Sequence, residues 1–285
     1  MKKYLKKCFF AWRFVRRAQF YYLVTLTSRR IRKSDFPDKK FRLLLQRIHR
    51  SSVKGELLCE DSAVRQIEAH RAQFLRSREF LNDGSQGSDS FSEGVTVRDA
   101  VEVSKFPELA SVLYLLIQWQ KPETVIEFGT NFGMSAAWQA AALKANGGGV
   151  IHTFEGSPYR MRFAQNWVHS LGLNNIYFHN QKFDEAIDAG LTAVKEVDSA
   201  FIDGNHRHEA TLNYFKFLGA RASKGAIFVF DDVLWSGGMK AAWREIQEYE
   251  DVYCSFEYAG MGRGFFLMRK YFPVLAKRYL RSTYE

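Results

Sequence analysis

The stretch V-I-E-F-G-T-N-F-G-M-S-A-A-W, residues 125–138, decides the fold. Its apolar opening reads as a strand that ends beside Glu127 and Phe128. Gly129 follows, and Gly133 opens a segment whose apolar spacing predicts a helix over 133–145. A glycine-bearing turn between a strand and a helix lets another group come close to the backbone, because no side chain stands in the way. The spacing is E-x-G-x-x-x-G, not the G-x-G-x-x-G that seats a pyrophosphate on a helix terminus. An acid ahead of the first glycine suits a ligand that carries positive charge.

The same alternation continues along the chain. Short apolar runs at TVIEF, GVIHTFE, NIYFHN, SAFID and GAIFVFD are separated by helix-like segments at 133–145, 158–171, 184–195, 207–222 and 238–249. Strand and helix in strict turn predict an α/β fold, a Rossmann-like doubly wound sheet whose parallel strands are covered on both faces. VYCSFEYAG and RGFFLMRK come last, with no room for a helix between them. They predict an antiparallel C-terminal hairpin that brings the sheet to seven strands. Upstream, residues 107–119 predict an apolar helix that begins on Pro107, residues 60–81 an amphipathic helix, and residues 82–94, rich in Gly, Ser and Asp, a loop.

In a doubly wound sheet, ligands sit beyond the carboxyl ends of the strands. Glu127 and Gly129 lie at that end of the first strand, and Gly133 begins the next helix, whose free N–H groups face the same side. The second strand ends at Glu155. A carboxylate there accepts hydrogen bonds from both hydroxyls of a ribose, each worth about 1.5–3 kcal/mol. An acid in that place serves NAD as well, so Glu155 alone indicates an adenosine-type ligand.

Together, these residues resemble the class I S-adenosylmethionine-dependent methyltransferases, with counterparts to every element between about 107 and 270. The resemblance implies S-adenosyl-L-methionine as cofactor. It implies a cofactor site of Glu127, Gly129, Thr130, Asn131, Gly133, Glu155 and Asp203. The expected division is a basic helical N-terminal extension with its Gly/Ser-rich loop over 1–106, and a methyltransferase domain over 107–285.

Asp203 and His206 close the fourth strand, and Asp231 and Asp232 close the fifth. Three carboxylates on one edge need compensation, and oxygen ligands of this kind suit Mg²⁺ or another divalent cation. The pattern resembles the catechol and caffeoyl-CoA type O-methyltransferases at Asp203, Asp231 and Leu234-Trp235. It departs from them at Asp232, where Asn is usual, and at His206, where those enzymes carry a catalytic lysine. The wording around 201–246 looks closer still to uncharacterised bacterial methyltransferases. The expectation is therefore methyl transfer to a hydroxyl oxygen of a small molecule. Asp203, Asp231 and Asp232 would hold a metal, Asp203 and His206 would act in catalysis, and Trp235 would wall the acceptor site. The alternatives are a membrane-associated module that binds S-adenosylmethionine without catalysis, and an NAD-linked oxidoreductase.

Charge narrows the partners. Residues 1–50 hold 16 of the 41 Lys and Arg but only 2 of the 31 Asp and Glu, so this arm carries +14 and the remainder −4. The basicity is local, and it gives no support to a nucleic-acid role for the main domain. The fourth strand ends in I-D-G-N-H, without the Asn/Asp-Pro-Pro-aromatic sequence used for nucleobase amino groups. Residues 2–18 place Lys and Arg on one helical side and apolar residues on the other, a pattern that suits peripheral membrane contact through residues 1–33, a partner, or packing on the protein's own domain. Arg13, Arg16 and Arg17 interrupt the apolar run and exclude a membrane span there. The three cysteines, Cys8, Cys59 and Cys254, form no disulfide framework. The expected location is cytoplasmic; contact at the inner membrane surface and homo-oligomerisation stay open.

Overall fold

The computed structural model describes residues 43–44, 61–80, 96–189, 191, 194–257 and 265–269. The expected basic helix of 2–18, the membrane-contacting arm of 1–33 and the loop of 82–94 lie outside the described residues.

Helices α1 (Ser62–Phe74), α2 (Val97–Glu102) and α3 (Pro107–Gln120) precede the sheet. The alternating core then runs β1 (Thr124–Phe128), α4 (Met134–Ala145), β2 (Val150–Phe154), α5 (Pro158–Ser170), β3 (Ile176–His179), α6 (Phe183–Asp188), β4 (Val197–Ile202), α7 (His208–Ala220), β5 (Ala222–Phe230) and α8 (Gly237–Glu248). The five strands lie in the order β3-β2-β1-β4-β5, all parallel. This is the expected α/β Rossmann-like, doubly wound arrangement. Strand order reverses between β1 and β4, so the crevice beyond those two strands is the switch point. Two further strands, β6 (Val252–Glu257) and β7 (Phe265–Arg269), follow. β7 pairs antiparallel with both β5 and β6. Their connection, 258–264, is outside the described residues.

Both faces of the sheet are buried, which is why its strands read as unbroken apolar runs. Val125, Ile151 and Ile176 face one cluster with residues of α1, α3, α4 and α5. Ile126, Phe128, Phe154, Ala200, Ile202, Phe228 and Phe230 face the other, with α6, α7 and α8. Residues 61–80 and 96–106 are continuous with this core. Val64 and Ile67 of α1 share the first cluster, while Val97, Ala100 and Val101 of α2 enclose Phe132 after β1. Polar bonds tie the same layer: Trp138 Nε1 donates to Glu68 at 2.9 Å and Tyr114 Oη to Asp61 at 2.8 Å.

The helix expected over 184–195 is shorter, ending at Asp188. Leu191 sits at φ 42, a left-handed backbone that cannot continue a right-handed helix. β5 starts earlier than expected, at Ala222, and its pairing with β4 shifts register between Val197 and Ser199.

The glycine turn has a structural occupant. At Gly129, φ is +109, and a Cβ there would stand 2.1 Å from the carbonyl oxygen of Asp203. The group that approaches this glycine is therefore the backbone leaving β4. Gly133 meets α5 instead, since a Cβ would lie 2.8 Å from that of Ala164. Gly129→Ala should lose about 1–3 kcal/mol or more in urea unfolding, because backbone must move to admit the methyl. Gly148→Ala has nothing within 4 Å of its Cβ and serves as the control, expected within about 0.5 kcal/mol of the parent. Equal stability of the two variants would contradict this account of the turn.

Candidate functional site

The turn after β1 rests on a buried polar chain. Glu127 is 0% exposed. Its Oε1 accepts from Gln139 Nε2 at 2.8 Å and its Oε2 from Thr153 Oγ1 at 2.6 Å. Thr153 has spent its one proton on Glu127, so at 2.6 Å Thr130 Oγ1 must donate to Thr153. Glu127 and Thr130 thus lie beneath the turn as braces, inside the α4 side of the sheet. Burial pushes the Glu127 carboxyl up to about 7, with a further rise from Asp203, against lowering by bonds from Thr153, Ser135 and Gln139.

Above the braces, the turn and the end of β2 hold one another. Glu155 Oε2 accepts from the Asn131 backbone N–H at 2.8 Å, and its Oε1 from Ser157 N–H at 2.9 Å. Ser157 also caps α5 by accepting from Arg160 N–H at 3.2 Å. The carboxylate is thereby fixed by two backbone donors. Asn131 holds a left-handed φ of 48, and its side-chain Oδ1 is buried without a donor. Gly133, the N-cap of α4, has no side-chain capping bond. Glu155, an orphaned amide oxygen and an uncapped helix start fit the polar half of a nucleoside ligand.

At the far side of the switch point the geometry departs from expectation. Lys105 Nζ lies 2.9 Å from Asp203 Oδ2 and is hydrogen-bonded to Asp231 Oδ2. Asp232, at a left-handed φ of 53, points elsewhere, with Oδ2 3.7 Å from His206 Nε2. His206 Nε2 is 3.9 Å from Asp203 Oδ1. The expected metal set of Asp203, Asp231 and Asp232 is not assembled. Among the described residues, no group of three or more His, Cys, Asp or Glu is placed to hold a metal ion. The physical reason is that an ammonium already stands between the first two carboxylates, bonded to one oxygen of each. So arranged, these residues do not fit a divalent cation.

Lys105 was not legible as a site residue. It stands between α2 and α3, one residue before Phe106-Pro107, and its partners come about a hundred residues later. The one available signal was the demand of three acids for a counter-charge. Trp235, expected to wall the acceptor, is 62% exposed. His208 is turned to α8, where Nε2 meets Glu245 Oε1 at 2.6 Å. Asn131, Asn205 and Asp232 all take positive φ just beyond the carboxyl ends of β1, β4 and β5. Such outliers gather at functional sites, and here they line one edge of the sheet.

The Glu127 shift makes a pH signature. Its folded pKa, about 7, lies above the ordinary 4.5, so its contribution favours the fold fully below 4.5 and is lost as pH rises through 7. Glu127→Gln cannot ionise, and should gain on the parent across that window by up to about 3 kcal/mol in urea unfolding. Parallel stability profiles for the two proteins would rule this out.

Comparison with known proteins agrees with this geometry. Residues 126–233 match a family profile described as "Methyltransferase domain". Comparison with curated protein sequences returns no match. Among solved structures, a methyltransferase from Podospora anserina bound to S-adenosylhomocysteine (SAH) superposes with a TM-score of 0.57 at 15% identity, covering 83% of this chain and 98% of that one. An O-methyltransferase from Bacillus cereus in complex with SAH gives 0.53 at 19% identity, covering 76% and 94%. The O-methyltransferase TomG of Streptomyces achromogenes, in complex with S-adenosylmethionine, gives 0.52 at 21% identity, covering 81% and 98%. Residues 126–233 thus match a methyltransferase-domain model, and the chain shares the fold of these methyltransferase structures.

Proposed function

We propose that the protein transfers a methyl group from S-adenosylmethionine to a hydroxyl oxygen of a small molecule. The observation that carries this reading is Glu155, fixed by two backbone N–H groups at the mouth of a methyltransferase domain. When bound, the cofactor supplies a methyl group already activated by a sulfonium.

The chain's own residues have separate tasks. Glu155 receives the ribose hydroxyls. Asn131 offers its orphaned Oδ1 to a donor of the cofactor, and the start of α4 offers N–H groups. Asp203 lies on the acceptor side, where its carboxylate is held by Lys105. His206, half-buried between Asp203 and Asp232, is placed to take the proton from the acceptor hydroxyl, a role for which imidazole is suited near neutral pH. Alignment of acceptor and methyl group in such a site contributes up to about 7–11 kcal/mol. Glu127 and Thr130 act from below, keeping the turn in register.

The same reading takes the seven-stranded sheet with its antiparallel closing hairpin as the full architecture. The pairings Phe228↔Leu267 and Ser255↔Leu267 support it. It also assigns α1 and α2 to the catalytic domain, because they share its core. The NAD-linked alternative draws no support from the comparisons, and the membrane-module alternative rests on residues outside those described.

Calorimetric titration with S-adenosylmethionine and with SAH tests the reading. Binding is expected, and Glu155→Ala should weaken it about 10–100-fold through the loss of charge-assisted hydrogen bonds. Equal affinity in the variant would remove Glu155 from the site, and absence of binding in the parent would defeat the reading as a whole.

A further inference from the structure

Lys105 is 7% exposed, and its ammonium sits between two carboxylates that come from different strands. Asp231 is 1% exposed, so its negative charge is stable only with a cation beside it. Among the described residues, Lys105 is the side chain that reaches both acids. Its position is imposed by the backbone. Phe106 is extended, as a residue before proline must be, and Pro107 starts α3. α2, fixed at its start by the reciprocal bonds of Thr96 and Asp99, packs on Phe132 after β1. The segment between the two helices has little freedom, and it delivers one lysine to the carboxyl ends of β4 and β5.

We propose that Lys105 is the resident cation of the acceptor edge, standing where a divalent ion would otherwise bind Asp203 and Asp231. The inference rests on the reading of that edge as the acceptor side of a methyltransferase. It means that the protein works without a divalent metal, and that the segment ahead of α3 completes the site. The ammonium satisfies one oxygen of each acid. Oδ1 of Asp231 remains buried without a donor, so the pair keeps acceptor capacity that a small cation could use once the lysine is gone. Removing one positive side chain should therefore turn an ion pair into a metal site.

The test uses the full-length protein and Mn²⁺ as the probe, followed by its electron paramagnetic resonance signal up to millimolar concentration. The parent is expected to show no saturable Mn²⁺ site at Asp231. Lys105→Ala and Lys105→Met should each gain one, Lys105→Arg should not, and Asp231→Asn added to Lys105→Ala should abolish the gain. A saturable site in the parent that Asp231→Asn removes would overturn the proposal. So would folded Lys105→Ala and Lys105→Met proteins that gain nothing. If both variants fail to fold, the titration of the parent and of its Asp231→Asn variant decides alone. SAH titrated into the same samples separates the two claims. Failure of SAH to bind the parent defeats the methyltransferase reading, whereas the Mn²⁺ result speaks only to Lys105.

Discussion

The ends of β1 and β4 approach so closely that no side chain fits between them. The Asp203 carbonyl occupies the space a Cβ on Gly129 would need, and the Asp203 N–H donates to Phe128 O at 2.8 Å. Much of the site follows from this contact. It pins the first residue beyond β4 against the turn beyond β1, at the point where strand order reverses. The Asp203 side chain meets Lys105, which is also bonded to Asp231 beyond β5. On the other side, Gly129 and Thr130 donate to Phe154 O, so the same turn is also tied to β2 and to Glu155 behind it. One steric constraint thus relates the Glu155 side of the crevice to the Asp203 side.

Charge completes what the backbone begins. Three acids crowd this edge, yet each has a different answer to its burial. Glu127 is neutralised in part by its own rise in pKa and by hydrogen bonds beneath the turn. Glu155 is stabilised by backbone N–H groups. Asp231 has the Lys105 ammonium beside it, shared with Asp203. Residues that look alike in the sequence therefore do different work, and burial decides which.

The fold was largely legible because it depends on local signals. Apolar runs of five or six residues, glycines at the turn, and Pro107 and Pro158 at helix starts each have a short-range cause. β1 to β4 came out where their patterns placed them, and β5 began earlier than its apolar run. α6 did not, since a left-handed residue near its end is a tertiary choice that periodicity cannot show. Gly129 was read as a site of close approach, which holds, but the approaching group is the protein itself. The site was legible only as a set of strand ends. Which acid points at a ligand, which at a lysine and which into the core is settled by contacts between distant segments. Lys105 shows this most clearly: nothing within its own stretch, S-K-F-P, marks it as the partner of Asp203 and Asp231.

The most direct measurement is a crystal structure of the protein grown with SAH and Mn²⁺. The account predicts the ribose on Glu155, the start of α4 against the ligand, and Lys105 still bridging Asp203 and Asp231. A nucleoside bound away from Glu155, or Mn²⁺ between those two carboxylates with Lys105 displaced, would contradict it.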